Sequence, residues 1–124
     1  MKFDLLTSNE LPQSFKYPPE YLNFINQNLR ELFPWEIIIG DRLKVAFASL
    51  IRKYPNRRLI PFAVRRDCDD VACWDNSIDN KIVVIHDGAD SGSELVGEYD
   101  NFFSWFYDVI KDMEDYEDYY DWEM

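Results

Sequence analysis

The chain has 124 residues, 47% of them hydrophobic and 17% aromatic, and its 24 acids against 13 bases leave a net charge of −11. That length and apolar content predict a single folded domain over residues 1–124, and exclude a disordered chain or one that needs staples to hold a core. No apolar run is long enough to cross a bilayer as a helix, and the charge opposes direct binding to nucleic acid or to an anionic membrane.

The opening "MKFDLLTSNELPQSF" has one lysine and no sustained apolar segment, which argues against a secretory signal and for a cytoplasmic chain. Cys68 and Cys73 are then expected as free thiols. "YPPEYLNFINQNLRELFP" reads as one helix. Pro19 suits its first turn, Tyr21, Leu22, Ile25, Leu29, Leu32 and Phe33 form a stripe, and Pro34 stops it. "WEIIIG" predicts a short buried strand closed by Gly40. Asp41 is placed to cap a second helix, with Leu43, Phe47, Leu50, Ile51 and Tyr54 inward and Pro55 as its stop.

"RRLIPFAV" and "VACWD" read as strands joined through "RRDCDD". "KIVVIH" is the next strand, set between the turn segments "DNSIDN" and "DGADSGS", and "ELVGEY" is a weaker last one. From Asp100 to Met113 the period is helical. Phe102, Phe103, Phe106, Val109, Ile110 and Met113 share a stripe, while Asp108, Lys111 and Asp112 point away. Glu117 breaks the stripe, so residues 114–124 read as an acidic aromatic extension. Together these elements predict an α+β fold: an antiparallel sheet of about four to six strands, covered on one face by N-terminal helices and a C-terminal helix.

Charge is uneven along the chain. Residues 98–124 hold ten acids and one base, Lys111, whereas the preceding 97 residues hold fourteen acids and twelve bases. The negative end suits a basic protein partner. Tyr116, Tyr119, Tyr120 and Trp122 interleave with those acids, and they read either as a solvated helix end or as interface residues.

Catalytic and metal patterns are incomplete. Asp67-x-Asp69 opens like a calcium loop, but Val71, Ala72 and Ile78 occupy the fifth-ligand, glycine and closing-glutamate places. Cys68, Cys73 and the single histidine, His86, supply three of the four ligands a structural zinc needs. Asp69 or Asp70 followed by Asp79-x-Lys81 resembles the carboxylate and lysine set of magnesium nucleases, but "DNSIDNK" reads more strongly as turn chemistry between strands, with Lys81 where a strand begins. Cys68 stands beside aspartates whose charge raises a thiol pKa and quiets the nucleophile.

"LIPFAVRRDCDDVACWD" followed by "KIVVIHDGADSGSELVGEYDNFFSWFYDVIKDM" resembles bacterial members of the SUKH superfamily, SMI/KNR-type proteins similar to yeast cell-wall-synthesis regulators. The matching features are the Pro-Phe-Ala strand from Ile60 to Ala63, the Asp69-Asp70 turn and Val71 to Trp74. A Val/Ile strand and an aromatic closing helix from Phe102 to Ile110 follow. The resemblance covers residues 59–113 well and 18–58 weakly. It implies a non-enzymatic α+β domain of a kind often encoded beside secreted polymorphic toxins and able to neutralise them. On that basis the chain is expected to be an immunity protein that binds a basic toxin domain, such as a nuclease, without cofactor or metal. Asp67, Asp69 and Asp70 then form a type I turn tip. They join Trp74, Asp75, His86, Trp105, Asp115, Asp118, Tyr119 and Trp122 as expected partner-binding residues. A general cytoplasmic regulatory interaction module of the same fold is the alternative, and a magnesium nuclease is a third reading.

Overall fold

The computed structural model describes residues 5–88 and 92–120, the last five as helix backbone only. Among them six strands form one antiparallel sheet in which every sequence neighbour is a spatial neighbour: β1 (Glu31–Leu32), β2 (Trp35–Ile37), β3 (Leu59–Arg65), β4 (Asp70–Asp75), β5 (Lys81–His86) and β6 (Leu95–Tyr99). Three α-helices accompany it, α1 (Pro19–Ile25), α2 (Gly40–Lys53) and α3 (Phe102–Tyr120), and a short 3-10 turn over Asn76–Ile78 links β4 to β5. The fold is α+β with α3 packed on the sheet. No helix among the described residues is long and apolar enough to cross a membrane.

Side chains alternate across a strand, so the central strands sort their residues between two faces. Val71, Cys73, Val83 and Ile85 join Leu59 and Leu50 of α2 in one cluster. Ala72, Trp74, Ile82 and Val84 join Ile60 and Phe62 on the other face, beneath Tyr21 and Phe24 of α1 and Phe102, Trp105 and Val109 of α3. The sheet is therefore covered on both faces, not one as expected. "KIVVIH" reads as a continuous apolar run because both its sides are buried. In β3 a register shift between Pro61 and Ala63 lets Ile60, Phe62 and Ala63 all reach the α1/α3 face. A bulge is also where a central strand can hold a proline, which has no N–H for the ladder.

The α1/α3 face is an aromatic cluster. Trp74 lies 4.4 Å from Phe62 and 4.9 Å from Tyr21, centroid to centroid, and Trp105 lies 4.8 Å from Phe62 and 5.4 Å from Trp35. Phe15 and Leu6, from the segment before α1, also belong to this core.

Three helix expectations are corrected. The first helix stops at Ile25, because Asn28 takes a left-handed φ of 60° and the chain turns into β1, where Leu32 is buried against the core. Leu29 and Phe33, assigned to the stripe, are exposed. In α2 the capping position is Ile39, in extended conformation, and Asp41 sits inside the first turn, where its charge complements the helix N-terminus. Ile51 is 53% exposed and Leu43 and Leu50 carry the packing. α3 starts where the Asn101 side chain accepts the Ser104 N–H at 2.9 Å, and it runs on past Met113 to Tyr120. Its buried side is Phe102, Trp105 and Val109, with Phe106 and Met113 beside them, so the stripe is rotated and Phe103 and Ile110 face outward.

Candidate functional site

The turn between β3 and β4 spans Arg66–Asp69, and Asp70 is already the first residue of β4. That end of the sheet gathers several of the expected residues. Arg65 donates to Asp67 at 2.7 Å and to Asp112 of α3 at 3.1 Å. Asp112 also accepts the Trp35 indole N–H at 3.1 Å. The carboxylate expected to point into solvent thus ties α3 to β2 and β3.

Asp70 and His86 face each other across β4 and β5, with Asp70 Oδ1 2.7 Å from His86 Nδ1. This hydrogen bond raises the His86 pKa, and the charges of Asp70, Asp69 and Asp87 reinforce it. The Asp87 N–H donates to the Asp69 carbonyl at 3.0 Å, and the Asp87 carboxylate accepts from Lys53 at 3.0 Å and from the Tyr54 hydroxyl at 3.4 Å. The hairpin end is therefore held to α2 on one face and to α3 on the other.

A groove lies on each side of it. The one on the α2 face, about 560 Å³, is lined by Glu36, Arg42, Arg66, Asp69 and Asp87 among others. The one on the α3 face, about 440 Å³, runs between β6 and α3 past Gly97, Tyr99, Asp108 and Asp115. Arg65 and Asp70 border both. Here Tyr99 donates to Asp108 at 2.7 Å, which pins the wall of the second groove. Both grooves are open, polar and charged, unlike a pocket that engulfs a small apolar ligand.

Cys68 is exposed at the turn, where partial desolvation and the Asp70 and Asp67 charges raise its pKa. Cys73 is buried and its thiol is raised well above the ordinary value, chiefly by burial. Both cysteines are free.

Other expected residues are not part of this surface. Trp74 and Trp105 are each 1% exposed, and they are core residues because α1 and α3 close over that face of the sheet. Asp75 is wholly buried. It accepts the Ser77 N–H at 3.0 Å, capping the 3-10 turn, and pairs at 3.3 Å with Arg57, which also reaches Glu94 at 3.3 Å. Its role is structural, since a buried carboxylate needs such partners. The nuclease-like residues are not brought together either. Lys81 stands opposite Asp75, at the other end of β4 from Asp70, about 17 Å away at the rise of a strand. Asp79 adopts a left-handed φ of 65° in the turn beside it, and Lys81 pairs with Glu98 and Asp100.

Asp115 is exposed on α3. Asp118 and Tyr119 belong to the α3 backbone, with side chains outside the described residues, and Trp122 lies outside them altogether. The surface residues that the sequence reading missed are on the outer flank of α3. Phe103, Tyr107 and Ile110 are 55%, 72% and 41% exposed. Their spacing of four and three residues was the available signal, hidden because two of the three fitted the core stripe as well.

Comparison of the chain with protein-family models, with curated proteins and with solved structures yields no match.

Proposed function

We propose that this chain is a non-enzymatic immunity protein that binds and neutralises a cognate secreted toxin, through a basic toxin domain, in the bacterial cytoplasm. The observation that carries this reading is the one-sided charge: ten acids against one base after residue 97, in a chain that is nearly balanced before it. Asp108, Glu114 and Asp115 stand exposed on α3. Such a surface steers a basic partner toward it and offers carboxylates where a nuclease would otherwise meet phosphates. The resemblance of residues 59–113 to the SUKH superfamily supports the same class of function.

The test is to co-express the chain with the product of its neighbouring reading frame. Rescue of growth together with a purified complex is the expected result. Undiminished toxicity, with no complex formed from the purified components, would overturn the proposal.

A further inference from the structure

Among the described residues of α3, the core takes one flank and leaves the other bare. At 100° per residue, Phe103, Tyr107 and Ile110 fall within about 60° of one another on that outer flank, and Glu114 continues the same line. The three apolar residues are 41–72% exposed although the helix buries Phe102, Trp105 and Val109 almost completely. Large side chains at this spacing are the arrangement by which a helix anchors in a partner's groove. Aromatic residues also dominate the energetics of such contacts.

Charge decides which partner fits. Glu114 stands in line with the stripe and Asp115 on its flank, against Lys111 alone among the bases of α3. A second copy of the chain would bring the same acids and its own net charge of −11 against them. A cleft that is apolar at its floor and rimmed by lysine and arginine would complement both the stripe and its border.

We infer that the outer flank of α3, with Phe103, Tyr107 and Ile110 as anchors and Glu114 and Asp115 at their border, docks into a basic-rimmed apolar cleft on a protein partner. This rests on the toxin-binding reading above and places the principal contact on α3 instead of at the hairpin end. The hairpin acids are largely engaged within the fold, Asp67 with Arg65 and Asp70 with His86, whereas the stripe residues are 41–72% exposed.

The experiment measures affinity for the toxin domain encoded by the neighbouring frame, carried with its catalytic residue inactivated. The variants are Tyr107→Ala, the pair Phe103→Ala with Ile110→Ala, and the hairpin pair Asp67→Asn with Asp69→Asn. Melting curves accompany each. Tyr107→Ala is the safest for folding because its ring is 72% exposed. Tyr107→Ala should weaken binding by roughly tenfold or more at unchanged melting temperature, the Phe103/Ile110 pair should weaken it by as much in a chain that is still folded and melts somewhat lower, and the hairpin pair should weaken it less. Wild-type binding that survives Tyr107→Ala and the Phe103/Ile110 pair overturns this inference and leaves the immunity function standing. A wild-type chain that does not bind the domain overturns both. A concentration-dependent dimer in sedimentation, dissolved by Tyr107→Ala, would overturn it in favour of a second copy as the occupant.

Discussion

Phe62 and Trp74 meet at 4.4 Å in the middle of the sheet, and each is about 1% exposed. Truncating a ring so enclosed removes its transfer free energy and leaves a cavity, so Phe62→Ala should cost about 3–5 kcal/mol in a urea titration. That is a large fraction of the stability of a small domain. A variant that unfolds at the parent's urea concentration would contradict the packing described. Trp74→Ala belongs to the same class and should act through stability rather than through a lost contact with a partner. Trp74 was expected at the partner surface because both faces of β4 are apolar, so alternation alone did not say which side was wet.

His86 carries the pH dependence at this scale. Its pKa is raised in the fold, first by the hydrogen bond to Asp70, so the folded state holds its proton more tightly than the unfolded chain does. The resulting stabilisation is fully present below the ordinary histidine value of about 6.5 and fades as pH rises through the raised folded value. His86→Gln should therefore lower the melting temperature relative to the parent at pH about 5.5 and converge on it by about pH 8. A constant difference between the two proteins across that range would show that the Asp70–His86 pair does not titrate as described.

Among the elements, the strands were legible and the helices only in part. β3, β4, β5 and β6 stand where the apolar runs and their flanking turn residues put them, because the Asp, Asn and Gly clusters between them act locally. The first helix was overextended because Leu29, Leu32 and Phe33 keep its period, while β1 is set by pairing with β2, a tertiary contact that no local pattern reports. In α3 the pattern was right and its phase was off by about 40°. With Phe102, Phe103, Trp105, Phe106, Tyr107, Val109 and Ile110 all apolar or aromatic, more than one stripe can be drawn, and packing chose the one through Trp105. The phase error matters for the candidate surface, since it exchanged Trp105 for Phe103 and Ile110.

The same element supplies a test by truncation. Among the α3 residues whose side chains are described, Met113 is the last packed against the core, so deleting residues 114–124 should leave a chain that folds and melts within a few degrees of the parent. The deletion also removes Glu114, Asp115, Glu117, Asp118, Asp121 and Glu123, six acids with no base. Association with a basic partner should then slow, markedly at low ionic strength and little at high. Equal rates at every salt concentration would reduce the extension to a solvated helix end. Failure to fold would mean that residues past Met113 pack on the core.

For the molecule as a whole, the sheet keeps apart the groups that a magnesium nuclease would have to assemble. Asp70 and Lys81 lie at opposite ends of β4 and β5. The purified protein should therefore leave DNA and RNA intact with magnesium or manganese. Turnover that disappears in both Asp70→Ala and Lys81→Ala would contradict this.

The strictly sequential order of the six strands bears on how the chain comes off the ribosome. Each hairpin closes between neighbours in sequence, so the meander can form progressively at small cost in loop entropy and without waiting for distant partners. Its α2 face can be covered as soon as β5 emerges, because α2 precedes the strands it packs on. The other face can be covered only in part by then: Phe15 and Tyr21 can already meet Trp74, but Phe62 still waits for Phe102 and Trp105, which follow β6. At synthesis rates of roughly 5–20 residues per second, the interval between β4 and the end of α3 lasts a few seconds. Throughout it the nascent sheet leaves the α3 side of Phe62 uncovered, and completion of α3 is the event that ends that exposure.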